Sequence, residues 1–200
     1  FTADGGFDFS EDYTKQETMI LPLLIASTKI GLEVLKRGGV FILKIFDFYQ
    51  KGTTDLLYFL SCHFESWTLY KPGMSRPCNP EHYFIGRNFT GCSDGVLDIM
   101  RVWCSIIESG QPLHSLFDLP YSAEFTECMT QIREKSFRSQ MSYLYRVFSM
   151  IESNDDTLIQ QYLKTNYLTS KAWCEYFHIP ISSDLPTEEK YTDPQETFQQ

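Results

Sequence analysis

The stretch GGVFILKIFDF, residues 38–48, decides the fold because it joins a turn signal to a long apolar run. Two glycines precede nine residues rich in β-branched and aromatic side chains, the composition of a β-strand. The run is apolar on both faces, which is typical of a central strand in a parallel sheet. Lys44 interrupts it, and a lysine is almost never buried without a partner of opposite charge. We therefore expect a carboxylate beside Lys44.

The sequence before and after this strand alternates between helix and strand signals. Residues 1–7 predict the end of a strand and a glycine turn, and apolar residues at helical spacing predict a helix from about Thr14 to Gly38. A second helix, DLLYFLSCHF, follows the strand, and its predicted N-cap is Thr53 or Thr54.

Two further strands, SWTLYK and EHYFIGRNF, flank the segment PGMSRPCNP, whose three prolines and one glycine exclude regular structure. This link is too short for a helical crossover, so the two strands should pair antiparallel at the edge of the sheet. The order of elements is that of an α/β fold, in which ligands bind at the carboxyl ends of the strands. Asp4 and Lys44 lie near two such ends.

The remaining sequence has no second sheet signal. Helices are predicted over residues 94–109, 122–152 and 155–178, and the residues that follow are polar and contain several prolines. We therefore divide the chain into a sheet-containing domain over residues 1–92, a helical extension over 93–180 and a flexible polar tail over 181–200.

Charge and composition limit the function classes. The net charge is −9, with 9 Lys/Arg against 10 Asp/Glu in residues 1–92 and 8 against 16 in residues 93–200. A chain this acidic is a poor general nucleic-acid binder, so an RNA contact should be local and lie in the first half. One alternative is a basic strip on a long helix, formed by Arg133, Lys135, Arg138 and Arg146; the plainer interpretation is a solvated helix face.

Cysteine usage and hydropathy bear on the compartment. The six cysteines form no CxxC or CxxH spacing, which predicts free thiols, no metal site and a reducing, cytoplasmic environment. No apolar run reaches the length of about 18 residues that a membrane span needs, and no signal peptide is visible. Because the chain begins with Phe1, we expect residues to precede it.

Three segments carry a resemblance to a known family: ADGGFD at 3–8, GGVFILKIFD at 38–47 and KPGMSRPCNPEHYFI at 71–85. In this order they resemble the FtsJ-like RNA ribose 2′-O-methyltransferases, particularly the cap-modifying members of eukaryotes and large cytoplasmic DNA viruses. The resemblance covers about residues 1–90. It implies the C-terminal part of a Rossmann-like methyltransferase sheet, with parallel strands and an antiparallel edge hairpin, followed by the helical extension.

The resemblance also implies a cofactor and a set of site residues. The family uses S-adenosylmethionine and a Lys–Asp–Lys–Glu tetrad. By motif match Asp4 takes the aspartate, Lys44 the second lysine and Glu81 the glutamate. Asp4 and Gly5 would lie at the methyl donor, and Ser75, Arg76 and Asn79 in the substrate-side loop. The family's glycine-rich donor loop and first lysine have no counterpart in these residues, and we expect a preceding segment to carry them.

The implied reaction is methyl transfer from S-adenosylmethionine to a ribose 2′-oxygen, with capped mRNA as the expected substrate. Lys44 would accept or share the proton of the 2′-hydroxyl, while Asp4 and Glu81 orient its amine. Two alternatives stay open: a non-catalytic methyltransferase-like module that binds RNA or protein, and a small-molecule methyltransferase, which Lys44 and the SRP loop disfavour. Residues 93–180 could bind a protein partner; a membrane is not expected. If the protein is viral, it would lie in a viral factory or virion.

Overall fold

The computed structural model describes residues 1–9, 12–153 and 156–182. They form four strands and five α-helices, with a short 3-10 turn over Tyr13–Lys15. In chain order these are β1 (Thr2–Ala3), α1 (Gln16–Val34), β2 (Phe41–Phe46), α2 (Lys51–Ser61), β3 (Phe64–Tyr70), β4 (Glu81–Phe89), α3 (Asp94–Glu108), α4 (Ala123–Ser153) and α5 (Asp156–Tyr176).

The four strands form one mixed sheet in the order β1-β2-β4-β3. β1 runs parallel to β2, with Ala3 opposite Leu43, whereas β4 is antiparallel to both β2 and β3. The predicted α/β class, with parallel strands and an antiparallel edge hairpin, is therefore confirmed. The ten-residue link between β3 and β4 holds no helix, so the two strands pair antiparallel as a hairpin. β3 is the edge strand of this hairpin.

One face of β2 forms part of the core and the other does not. Phe41, Leu43 and Ile45 are fully buried, whereas the side chains between them are half-buried. Helix α1 packs on the buried face at Gly31, where an added Cβ would lie 2.2 Å from the Phe41 ring. The strand is central in the sheet, as predicted, but only one of its two apolar faces is fully buried, and an apolar sequence does not reveal which face the helices cover. Lys44 lies on the half-buried face.

The start of helix α2 differs from the prediction. Its N-cap is Gln50, not Thr53 or Thr54, which are both buried within the first turn. The Thr54 hydroxyl donates to the Gln50 carbonyl at 2.9 Å. A carboxylate from another helix supplies the cap instead: Glu17 of α1 accepts the Gln50 N–H at 2.8 Å. Tertiary contact therefore outweighs the local capping preference of threonine.

The chain divides into two compact units, Phe1–Ser139 and the part from Gln140 onward. The first unit includes the beginning of α4, where Phe125 is buried and packs on Trp67 of β3 with ring centroids 5.6 Å apart. The sequence-based division at residues 92 and 180 stays a prediction. The predicted tail, apart from Ile181 and Ser182, lies outside the described residues.

Within the described ranges, no helix has both the length and the apolar character needed to cross a membrane.

Candidate active site

Asp4 and Lys44 meet at neighbouring positions of β1 and β2. Because Ala3 pairs with Leu43 in the parallel register, Asp4, which directly follows β1, lies next to Lys44, which lies within β2. The Lys44 Nζ lies 3.0 Å from Asp4 Oδ1 and donates to the Asp4 carbonyl, also at 3.0 Å. The Lys44 side chain is only 15% exposed, whereas that of Asp4 is 69% exposed. The expected carboxylate partner of Lys44 is therefore Asp4.

The contacts of Asp4 favour its ionised form. The hydrogen bond from Lys44 holds the pKa of the Asp4 carboxyl below its usual value, and one from Tyr83 acts in the same direction against a partly opposing effect of burial. Lys44 also lies 5.4 Å from the centroid of the Phe46 ring, a cation–π distance. The pair presents an open carboxylate beside an enclosed ammonium group.

Glu81 lies near this pair without contacting Lys44. In the β2–β4 register Lys44 is opposite Tyr83 and Phe46 is opposite Glu81, so the four side chains share one face. Lys44 and Glu81 are therefore diagonal neighbours, a relation that separates backbones by about 7–8 Å. Among the described residues, the ion pair of Lys44 is with Asp4 and not with Glu81. The expectation that both carboxylates pair with Lys44 is thus met by Asp4 alone.

Tyr83 is a site residue that the sequence analysis missed. Its hydroxyl donates to Asp4 Oδ1 at 3.0 Å, on the same oxygen that Lys44 contacts. Burial raises the pKa of Tyr83, and the hydrogen bond to Asp4 and the charge of Glu81 raise it further. Strand alternation was the available signal, because residue 83 lies on the same face of β4 as residue 81.

An open cavity of about 640 Å³ is lined by Phe46 and Glu81, which share the face of Lys44, but not by Asp4 or Lys44 themselves. Its lining combines aromatic rings, carboxylates and one guanidinium group: Phe7, Asp8, Phe9, Tyr13, Gln16, Phe46, Asp47, Arg76, Cys78, Asn79, Pro80 and Glu81. Of the predicted substrate residues, Arg76 and Asn79 line this cavity and Ser75 does not. A flat aromatic and polar lining of this size could hold a nucleotide.

The glycines after Asp4 keep its surroundings open. A Cβ added at Gly6 would lie 3.7 Å from the Phe46 ring and 3.8 Å from the Lys44 Nζ, so it would occupy space beside the ion pair. One added at Gly5 would lie 3.1 Å from Leu23. An exposed carboxylate next to unobstructed backbone fits a bound methyl donor that carries positive charge. The assignment of Asp4 and Gly5 to that donor stays a prediction.

Two of the four basic residues of the considered strip on α4 have partners within the protein. Arg133 donates two hydrogen bonds to the Phe48 carbonyl, at 3.1 and 2.7 Å, and one to Thr54 Oγ1 at 2.6 Å. Arg138 pairs with Glu134 one helical turn away at 2.5 Å. Arg133 thus anchors α4 to the residues after β2, a role that differs from the RNA contact considered from the sequence.

Comparison with known proteins tests the family that the three motifs predict. A family model described as FtsJ-like methyltransferase matches residues 1–89. The cap-specific mRNA (nucleoside-2′-O-)-methyltransferase 1 of Dictyostelium discoideum is 33% identical over 144 residues, 66% of this chain and 19% of the relative. That of Xenopus laevis is 30% identical over 166 residues, 78% of this chain and 19% of the relative.

A viral relative matches more closely over a shorter range. The cap-specific mRNA (nucleoside-2′-O-)-methyltransferase of Autographa californica nuclear polyhedrosis virus is 40% identical over 83 residues, 42% of this chain and 32% of the relative. The chain thus spans between about a fifth and a third of the length of these relatives. The family predicted from the three motifs is confirmed by this match: residues 1–89 fit the FtsJ-like methyltransferase family model.

Proposed function

We propose that this chain contributes to an active site that transfers a methyl group from S-adenosylmethionine to a ribose 2′-oxygen near the 5′ cap of mRNA. The observation that carries the proposal is the ion pair of Lys44 and Asp4, 3.0 Å long, on the face of the sheet that also carries Phe46 and Glu81 of the cavity lining. The relatives are named as cap-specific mRNA methyltransferases, which supports the choice of capped mRNA as substrate.

The reaction needs a base for a weak nucleophile. S-Adenosylmethionine, when bound, supplies an electrophilic methyl group on a positively charged sulfur. The ribose 2′-hydroxyl would have to release its proton to react with that methyl group, and this chain must supply the group that receives it. Lys44 accepts or shares this proton at Nζ, and the Asp4 carboxylate orients the amine. Tyr83 holds the Asp4 carboxylate in place through the bond at 3.0 Å.

Glu81 and Arg76 serve the substrate side in this proposal. Glu81 adds negative charge on the face of β4 that carries Tyr83, which supports the positive charge formed at Lys44. Within the described part of the chain, no carboxylate forms an ion pair with Arg76, whose side chain lines the cavity. A guanidinium placed in this way can bind a phosphate of the RNA strand.

Compartment and partners form part of the same proposal. The six cysteines are free, which suits a reducing cytoplasm, or a viral factory or virion if the protein is viral. Large apolar side chains such as Tyr145, Phe148 and Ile151 are exposed in the helical extension and could contact a protein partner.

The test uses the natural polypeptide that contains these 200 residues. It is mixed with labelled S-adenosylmethionine and a short capped RNA, and a 2′-O-methylated copy of the RNA serves as the control. We expect label on the unmethylated RNA only. Lys44→Ala should lower kcat by about a hundredfold or more without changing the thermal unfolding midpoint. The exposed Lys36→Ala is the matched control variant.

Two results would contradict the proposal. Absence of transfer by the wild-type protein, with RNA still bound, would favour the non-catalytic RNA-binding module. Near-wild-type turnover of Lys44→Ala would remove Lys44 from the role of base.

A further inference from the structure

The loop between β3 and β4 is built around Lys71. This residue follows Tyr70, the last residue of β3, which pairs with Tyr83 across the hairpin. The Lys71 Nζ donates to Ser75 Oγ at 3.2 Å and to the Asn79 carbonyl. One ammonium group therefore joins the middle and the end of a loop that contains three prolines and has no regular structure.

The backbone of the same loop forms two consecutive turns. The Ser75 N–H donates to the Pro72 carbonyl at 3.0 Å, and the Asn79 N–H donates to the Arg76 carbonyl at 2.9 Å. Lys71 contacts the last residue of each turn. Arg76 begins the second turn directly after the first one ends, so its position depends on how the two turns are held together.

Two carboxylates act on the charge of Lys71 without forming an ion pair with it. Burial lowers the pKa of Lys71, and the negative charges of Glu81 and Asp47 act in the opposite direction. Neither carboxylate lies within ion-pair distance of it among the described contacts, so the direct partners of the ammonium are the loop's own oxygen atoms. Glu81 and Asp47, which line the cavity, thus oppose the effect of burial on the pKa of Lys71.

These contacts change the roles expected for two residues. Ser75 Oγ and the Asn79 carbonyl accept hydrogen bonds from Lys71. Asn79 Oδ1 accepts a hydrogen bond from the Glu81 N–H at 2.8 Å. These oxygen atoms therefore already have partners within the protein. Arg76 is the charged residue of this set, and it lines the cavity together with Asn79.

We propose that Lys71 is a positioning residue, which orders the loop of residues 72–80 and thereby presents Arg76 to the substrate. The inference rests on the proposed function for the identity of the substrate, an RNA phosphate. Lys71 itself touches no reacting atom in this scheme. Its effect on the reaction passes through Arg76, and that dependence can be measured.

The test is a double-mutant cycle in the natural polypeptide. Lys71→Met removes the ammonium but keeps a side chain of similar length, and Arg76→Ala removes the guanidinium. We expect each single variant to raise KM for capped RNA by about tenfold, with kcat within about twofold of wild type. In the Arg76→Ala background, Lys71→Met should raise KM little further, because both changes remove the same contact between Arg76 and the RNA. The exposed Lys36→Met is the control and should leave KM unchanged.

A second readout does not depend on catalysis. Hydrogen exchange at the Ser75 and Asn79 amides should be faster in Lys71→Met and unchanged in Arg76→Ala. Unchanged exchange in Lys71→Met would overturn the inference, as would a full tenfold KM effect in the Arg76→Ala background. A loss of kcat and of thermal stability with KM unchanged would also overturn it.

The two proposals fail in different ways. If the wild-type protein transfers no methyl group, the proposed function is wrong, and the same cycle is then measured as the Kd for capped RNA. Coupling of Lys71→Met to Arg76→Ala in that Kd, with faster loop exchange, would still support the positioning role. Additive effects on Kd would overturn it.

Discussion

Lys44 can lie in an apolar strand because strand alternation turns it away from the core. Its neighbours Leu43 and Ile45 are buried, whereas Lys44 lies on the half-buried face and bonds to Asp4 at 3.0 Å. The aliphatic part of a lysine can pack on apolar surface while its ammonium reaches a polar partner. The strand therefore does not need Lys44 for folding, and a change at this residue should affect chemistry more than stability.

Tyr83 supports the same carboxylate from the neighbouring strand. We predict that Tyr83→Phe lowers the rate of methyl transfer by up to about tenfold, because a hydrogen bond to a charged group is lost at a partly exposed site. The ring remains, so the thermal unfolding midpoint should stay the same. Single-turnover rates and calorimetry measure the two effects.

Tyr70→Phe is the matched control for this change, because Tyr70 is the exposed cross-strand neighbour of Tyr83 on β3. It should leave the rate unaltered. An equal loss in both variants, or none in Tyr83→Phe, would contradict a role for the Tyr83 hydroxyl in holding Asp4.

At the scale of the elements, the segment between α3 and α4 is held by one buried carboxylate. Asp55 of α2 is fully buried and accepts hydrogen bonds from the Leu116 N–H at 2.8 Å, the Ser115 hydroxyl at 3.0 Å and the Tyr121 hydroxyl at 2.5 Å. Lys51 adds an ion pair at 2.9 Å. Burial alone would raise the pKa of Asp55, but these hydrogen bonds outweigh it and lower the pKa.

Asp55 should therefore make folding stability depend on pH in the acid range. A carboxyl whose folded pKa is depressed stabilises the fold above its unfolded pKa, and this contribution is lost as the pH falls through the folded value. We predict that Asp55→Asn lowers the free energy of unfolding at pH 7 by about 2–4 kcal/mol. The deficit should shrink below about pH 4, close to the ordinary aspartate value.

Urea unfolding from about pH 7 to pH 3 measures this deficit. Asp98→Asn is the control, because Asp98 is exposed and pairs with Arg101 on the surface of α3. A deficit that grows on acidification would contradict the assignment of the lowered pKa to Asp55.

The elements that local signals define were predictable from the sequence. β4 has the predicted bounds, Glu81–Phe89, and pairs antiparallel with β3, because the proline-rich link leaves few other connections. The cap of α2 was missed because Glu17, which is 33 positions away from Gln50, provides it. The sequence did not indicate which face of β2 is fully buried, because apolar residues occupy both of its faces and their periodicity does not distinguish them.

The candidate site was also predictable only in part. Asp4 was expected beside Lys44 because Asp4 lies at the end of the first strand and Lys44 lies late in the next strand, to which the first is parallel. The contacts of Lys71 with Ser75 and Asn79 depend on the conformation of an irregular loop, which motif spacing does not define. Placing Tyr83 beside Lys44 and Asp4 required the register of β2 against β4, which the sequence of neither strand specifies alone.

For the whole molecule, charge sets the character of RNA binding. The net charge is −9, and residues 93–200 hold most of the excess acid. Such a chain repels RNA at long range, so binding should rely on a few local cations rather than on a broad basic surface. Arg76 is the cation that lines the cavity beside the Lys44–Asp4 pair.

We therefore predict a shallow salt dependence of RNA affinity. For single strands, log K falls with log salt by about 0.7 per phosphate neutralised, so one or two contacts give a slope near −1. Arg76→Ala should weaken binding and reduce the steepness of the slope by about 0.7. The control Arg87→Ala, an exposed change toward the other end of β4, should alter neither. Fluorescence anisotropy of a labelled capped RNA from about 50 to about 300 mM salt measures the slope. A slope of about −4 or steeper, or one that Arg76→Ala leaves unchanged, would mean that a different and more basic surface binds the RNA.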